Sequence, residues 1–356
     1  MTPAPPGRRG YLDWLRGIAV LIMIEAHTID SWTRLSERDR EPFGYAIILG
    51  GFGAPIFLFL AGIAVPLMAS ARMRKGADPA AAAAAVRRRG WEIFGLAFLF
   101  RLQSFVLSGG APLQTLLKVD ILNIMGPALV GAAALWGAGR RASTRFILLL
   151  ATAVALAMFT PIVRTSPWLA WLPDPVEWYL RPYPGRTTFT MFPWAGFLFA
   201  GAALGVVLET VREKPFVAAL TAVGPAIALG GYGASFLPAI YAQVNFWTSS
   251  PTFFFLRLGV LVSLVPIAYA FSRALPGVSA PLEYFGRASL FVYWIHVEMV
   301  YGVMSQAIHK RLTFEQALAA FALFSVFLFG VAKLKDYLAG RFRTRRDTSS
   351  WQPARG

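Results

Sequence analysis

The sequence has no cysteine and only three histidines among its 356 residues. The first absence excludes disulfide bonds and thiolate chemistry, and it leaves the redox compartment open. Charged residues are scarce as well, at 15% of positions. No internal repeat is visible, which weighs against the duplicated halves of many secondary transporters. No small-x-small cleavage site follows the first apolar stretch, and that stretch carries Asp13, Arg16, Glu25 and His27. It therefore reads as a retained helix and not as a signal peptide.

What the sequence does hold is apolar surface. Hydrophobic residues make up 56% of the chain and the mean hydropathy is +0.55. Apolar blocks recur near the roughly 20 residues that a bilayer span requires. The expected class is an all-α, polytopic integral membrane protein of about ten spans. Their borders are expected near 11–32, 45–70, 85–107, 119–138, 144–162, 188–210, 216–237, 252–273, 284–307 and 315–338. The long connection 163–187, with its prolines and tryptophans, suits an ordered interfacial cap or a substrate lid. Residues 1–10 and 341–356 form polar tails around a membrane domain at 11–340, the second of them basic.

Most of the 34 Lys and Arg residues fall in loops on one side if the N-terminus is cytoplasmic, and the positive-inside rule then places both termini there. The net charge of +16 is dispersed along these loops instead of forming one stripe, so it is read as topology and headgroup contact, not nucleic-acid binding. The expected location is a plasma membrane, the inner membrane of a bacterium.

The stretch RGIAVLIMIEAH, residues 16 to 27, places ionisable groups inside an apolar helix. Eleven steps at about 100° bring Arg16 and His27 to nearly the same face, about 16 Å apart along the axis. Asp13 and Asp30 fall on or near that face, while Glu25 points away. Such a polar track normally faces a bundle interior or a watery cavity. The competing reading is structural, with Arg16 snorkelling to headgroups and His27 bonded to a carbonyl.

Further polar residues interrupt later spans. His296 and Glu298 lie in SLFVYWIHVEMVYG, where His296 taken alone is more a structural residue than a catalytic one. Arg101 and Gln103 close the third span, and Asp120 and Asn123 open the fourth, where Asp120 suits a helix cap. Arg257 follows FFFL with no partner nearby in sequence; Glu25 is one option. These residues form a candidate second polar or substrate site.

YLDWLRGIAVLIMIEAHTIDSW resembles the first helix of the membrane acyltransferases, whose arginine and histidine are separated by ten residues. GAPIFLFLAGIAVPL resembles their second helix. KVDILNIMG, FPWAGFLFAGAALG and GRASLFVYWIHVEMVYG resemble blocks of the branch related to heparan-alpha-glucosaminide N-acetyltransferase, in the expected order. The resemblance implies an all-helical membrane enzyme that moves an acetyl group from cytoplasmic acetyl-CoA to a sugar on the far side. Amino-sugar N-acetylation is the closer analogy and glycan O-acetylation the next. It also implies a possible homodimer, and it gives functional weight to Arg16 and His27. In one respect the chain departs from the pattern. The lysosomal enzyme carries asparagine where His27 stands here and places its proposed catalytic histidine in the following loop; TRLSERDREP contains none.

Acyl transfer needs a base on the acceptor, and histidine titrates nearest neutrality. His27 serves either as that base or as an acetyl carrier, and Asp30 is the candidate to orient its ring. Arg16, Arg88 and Arg89 are the candidate ligands for CoA phosphates, against a reading as topology determinants only. No metal is called for. Two rivals stay open: a proton-coupled transporter using the same helix face, and a non-catalytic membrane partner of a glycan-assembly system.

Overall fold

The computed structural model describes residues 9–107 and 112–349, with side chains through 341. The expected tail cations Arg8, Arg343, Arg345, Arg346 and Arg355 lie outside the described side chains. The described residues contain no strand, only two isolated bridges, Thr33 with Leu312 and Val119 with Thr187. Fourteen helices follow one another: α1 Gly10–Trp32, α2 Glu41–Gly50, α3 Gly53–Met73, α4 Pro79–Leu107, α5 Ile121–Ala138, α6 Ala142–Met158, α7 Thr160–Thr165, α8 Asp174–Leu180, α9 Met191–Thr210, α10 Glu213–Ala234, α11 Pro251–Ala274, α12 Pro276–Arg287, α13 Ser289–Tyr301 and α14 Phe314–Ser349.

Among the described residues, seven helical stretches are long and apolar enough to cross a membrane, with α2 and α3 counted as one. The chain is thus an integral membrane protein. The other three expected spans fall short for different reasons. The helix α1 has the length but carries Asp13, Arg16, Glu25 and Asp30, and α6 has only 17 residues. The expected span 284–307 is broken at Ala288, so α13 is a helix of 13 residues, about 20 Å long. The connection 163–187 folds into short helical turns and not a span.

Small residues set the packing that builds the site. A Cβ on Gly17 of α1 would lie 2.1 Å from the Leu282 carbonyl oxygen, and one on Gly286 would lie 2.0 Å from the Asp13 carbonyl oxygen. The two backbones therefore touch, as membrane helices do where glycine removes the side-chain spacer. This contact aligns α12 and α13 alongside α1, running in the same direction. Ser31 Oγ donates to the Val300 carbonyl at the far end, and the Lys310 N–H donates to the Ser31 carbonyl. The last helix returns: Trp32 meets Phe324, while Tyr284 donates to Asp336 at the starting end of α1. The described beginning of α1 and the later turns of α14 accordingly share one end of the bundle.

Candidate active site

A cavity of about 1130 Å³ runs along the polar face of α1. Arg16, Arg89 and Arg287 border it at one end, His27 and Tyr301 further along, and Arg101, Lys118, Asp120 and Glu298 towards the other. The face derived from helical periodicity is the face that lines the space, and Glu25, on the opposite side, is buried outside it.

His27 is fixed by a partner distant in sequence. Its Nδ1 lies 2.8 Å from the Tyr301 hydroxyl, across 274 residues. Asp30, the expected orienting group, instead pairs with Arg38, 3.2 Å from Nη2 to Oδ1, and faces the outside of the site. The physical reason is the turn that follows α13. It is tied to the end of α1 by the Lys310–Ser31 bond and so sets Tyr301 beside the imidazole.

His296 stands behind His27, with ring centroids 5.2 Å apart. Its Nδ1 is 2.9 Å from the Val292 carbonyl oxygen, which can only accept, so the proton resides on Nδ1 and Nε2 carries a bare lone pair. That Nε2 is buried without a hydrogen-bond partner among the described residues. The carbonyl bond suits the structural reading of His296, and the ring nonetheless stands beside His27.

Asp120 does two jobs. Its Oδ1 accepts from the Ile121 N–H at 2.7 Å, and the Asn123 side chain accepts from the Asp120 N–H at 3.0 Å, a capping box that starts α5. The other oxygen binds Arg101 Nη2 at 2.5 Å, tying α4 to the start of α5. Asn123 also donates to the Tyr179 hydroxyl at 3.2 Å, which anchors the connection 163–187 over this end. The Val119–Thr187 bridge adds a second tie and brings Thr188 and Phe189 to the cavity wall. Burial, and then the neighbouring Arg101 charge, lower the Lys118 ammonium from its usual range, with Asp120 acting in the opposite direction.

The expected CoA ligands separate. Arg89 borders the cavity, with a side chain 44% exposed and 3.1 Å from Glu92. Arg88 is 81% exposed, pairs with the same Glu92 at 3.3 Å, and does not border the cavity. One step of about 100° along α4 turns it to the outside. Arg287, counted from sequence only as a topology cation, borders the cavity next to Arg16 because the Gly17–Gly286 contact draws α12 in. Arg257 lies elsewhere: its guanidinium stacks over Phe253 at 4.1 Å and reaches the Gly50–Gly51 turn, as Glu25 does from its own side. The two form no ion pair among the described residues.

Sequence reasoning missed Arg287 and Tyr301. A signal was available: Leu290, Tyr293, Val297 and Tyr301 recur at helical spacing, and all four border the cavity.

The family model described as Heparan-alpha-glucosaminide N-acetyltransferase, catalytic, matches residues 8–241. The chain belongs to this family. The match contains Arg16, His27, Arg89, Arg101 and Asp120, so the family's region supplies most of the cavity lining; His296, Glu298 and Tyr301 lie beyond it. No curated protein matches the chain. Membership makes it a membrane acyltransferase of the acetyl-transferring kind.

Proposed function

We propose that this family member transfers the acetyl group of cytoplasmic acetyl-CoA to the amino group of a sugar that approaches from the opposite side of the membrane. The observation that carries this reading is the single cavity with guanidinium groups at one end, His27 on its wall and a mixed polar set at the other. Arg16, Arg89 and Arg287 fit the donor's phosphates, since guanidinium forks match phosphate oxygens and these three converge on one mouth. Acetyl-CoA supplies the activated carbonyl carbon.

The orientation rests on charge. Arg9, Arg74 and Arg145 also lie at the Arg16 end, Arg9 and Arg74 both reaching Glu209 and Arg145 closing α5. The loops assigned by sequence to the Arg16 end carry most of the chain's Lys and Arg residues, and the positive-inside rule assigns such an end to the cytoplasm.

His27 is the group available to move a proton. In the tautomer whose Nδ1–H donates to the Tyr301 oxygen, Nε2 is a free base that takes the proton from the attacking amine as the nitrogen–carbon bond forms; the carbon–sulfur bond to CoA breaks and the proton passes on to the departing thiolate, which leaves as the CoA thiol. In the two-step alternative the same nitrogen first carries the acetyl group. Either way Tyr301 holds the orientation of the ring, and the lone pair of His296 Nε2 sits close to the ring that becomes charged. Glu298, which accepts from Ser104, offers a carboxylate to a substrate amine within the same cavity.

The test is acetyl transfer by purified protein from labelled acetyl-CoA to glucosamine and to hydroxylated glycans lacking an amine. Label in the amine acceptor is expected. Label only in the hydroxylated glycans would shift the reading to O-acetylation. Absence of any acetyl-CoA consumption, with proton-driven uptake of a solute, would replace it by the transporter.

A further inference from the structure

The cavity has a distinctive opening at the Trp32 end of the bundle. Leu107 is 56% exposed, Val303 65% and Met304 75%, and all three border the cavity that His27 borders. Among the described residues they are the large apolar cavity residues that are more than half exposed. An apolar side chain exposed on a membrane protein ordinarily faces hydrocarbon, and one that also borders an internal space marks where that space meets hydrocarbon.

The gap has a definite floor. Trp294 Nε1 donates to Gln103 Oε1 at 2.6 Å, holding α4 and α13 together one helical turn below Leu107. Beyond that bond the two sides of the opening are Leu107, ending α4, and the turn Val303–Ser305 that follows α13. Val106, 67% exposed, and Leu113, 72% exposed, extend the apolar rim on the α4 side. Immediately inside stand Arg101, Lys118, Asp120 and Glu298. Polar groups within and hydrocarbon-facing groups at the rim match an amphiphile: a hydrophilic head needs the first and a hydrocarbon tail the second. A water-soluble glycan makes no use of such a rim.

We propose that the acceptor is a lipid-borne sugar, whose head occupies the space among Arg101, Lys118, Asp120 and Glu298 while its hydrocarbon tail leaves between Leu107 and Val303–Met304 into the surrounding leaflet. This rests on the acyltransferase reading and adds to it the class of acceptor. The sugar enters sideways from the leaflet, so its amine reaches His27 without the lipid leaving the membrane.

The experiment uses the full chain in phosphatidylcholine vesicles and dodecyl glucosaminide bearing a diazirine in its alkyl chain. After irradiation, cross-links are expected on the peptides that carry Leu107 and Val303–Met304. Excess unlabelled dodecyl glucosaminide should reduce them at least tenfold, and methyl glucosaminide at equal concentration should not. Labelling spread over lipid-facing positions such as Leu229 and Leu323, without competition, would overturn the proposal; so would equal competition by the methyl glycoside.

A second arm measures acetyl transfer to the two glycosides. The doubly substituted Leu107→Gln, Met304→Gln protein should lose at least tenfold of the preference for the dodecyl acceptor, read as the ratio of kcat/KM for the dodecyl to that for the methyl glycoside, and an unchanged ratio would overturn the proposal. Both positions are exposed, and each protein is compared in the same vesicles, so partitioning of the alkyl chain cancels. Transfer to neither glycoside would overturn the acyltransferase reading, while the cross-linking pattern would still decide the lipid opening.

Discussion

The two ends of the cavity handle charge in opposite ways. The three arginines that border the cavity at the Arg16 end have local acidic partners: Asp13 for Arg16 at i,i+3, Glu92 for Arg89 at i,i+3 and Glu283 for Arg287 at i,i+4. Pairs of that kind join residues of one helix and contribute little to holding helices together. At the other end Arg101 and Asp120, with side chains 13% and 17% exposed, pair across a helix–helix contact and share the cap of α5. A guanidinium whose partner is local is free to change partners when a phosphate arrives, whereas one that ties two helices is part of the fold. The same residue type is therefore left available to a ligand at one end and is built into the architecture at the other.

The largest expected effect lies between the ends. Replacing His27 by alanine should lower acetyl transfer about 10²- to 10⁴-fold, the usual contribution of a positioned acid–base group, while the protein elutes as a single folded species. Tyr301→Phe should cost far less, about fivefold, as befits one neutral hydrogen bond of about 1 kcal/mol. Full turnover by folded His27→Ala protein would remove the histidine from the chemistry.

Breaking the comparison itself takes three variants. Arg101→Gln should lower stability by about 3 to 5 kcal/mol, because it leaves the Asp120 carboxylate unpaired in a largely buried position, and the loss is read as a fall in thermal midpoint in detergent. Arg89→Gln should leave that midpoint in place and raise KM for acetyl-CoA about tenfold, the loss of one charge-assisted bond. Arg88→Gln, pointing away from the cavity, should change neither. Equal KM effects at positions 88 and 89 would mean that the cavity does not choose between them.

The smallest effect concerns Glu37, in the loop after α1. Hydrogen bonds from Arg34 and then Arg40 hold its carboxyl down at about 2. A depressed carboxyl contributes stability that is complete above its unfolded value, about 4, and is lost as the pH falls through the folded one. Glu37→Gln should therefore flatten the acid limb of the thermal midpoint between about pH 4 and pH 2 and change little near neutrality. An unchanged acid limb would mean that the two arginines do not hold the loop.

How far all this was legible in the sequence depended on distance along the chain. The polar face of α1 followed from periodicity, because 3.6 residues per turn fixes which side chains share a side. Asp120 as a cap followed from its place before an apolar run. Periodicity does not name the neighbour across the gap, so it connects neither Tyr301 to His27 nor Arg287 to Arg16, and it offers Asp30 as the orienting group where the structure sets the Tyr301 hydroxyl against the ring. Arg88 and Arg89 look alike in sequence, and only the rotation of α4 against α5 separates them. The break at Ala288 is hidden for another reason: an apolar stretch with no proline at the break reads as one span, although the backbone at Ala288, with φ −85° and ψ 4°, leaves helical values there.

The central claim is that donor and acceptor meet from opposite sides of the membrane in one cavity. It is tested most directly in sealed vesicles of known orientation, with labelled acetyl-CoA supplied only on the face that exposes the Arg16 end and the amino-sugar acceptor confined to the other. The account expects label in the acceptor, CoA retained on the donor face, and no transfer when the two sides are exchanged. Transfer that requires donor and acceptor on the same face would contradict it, even with His27 indispensable.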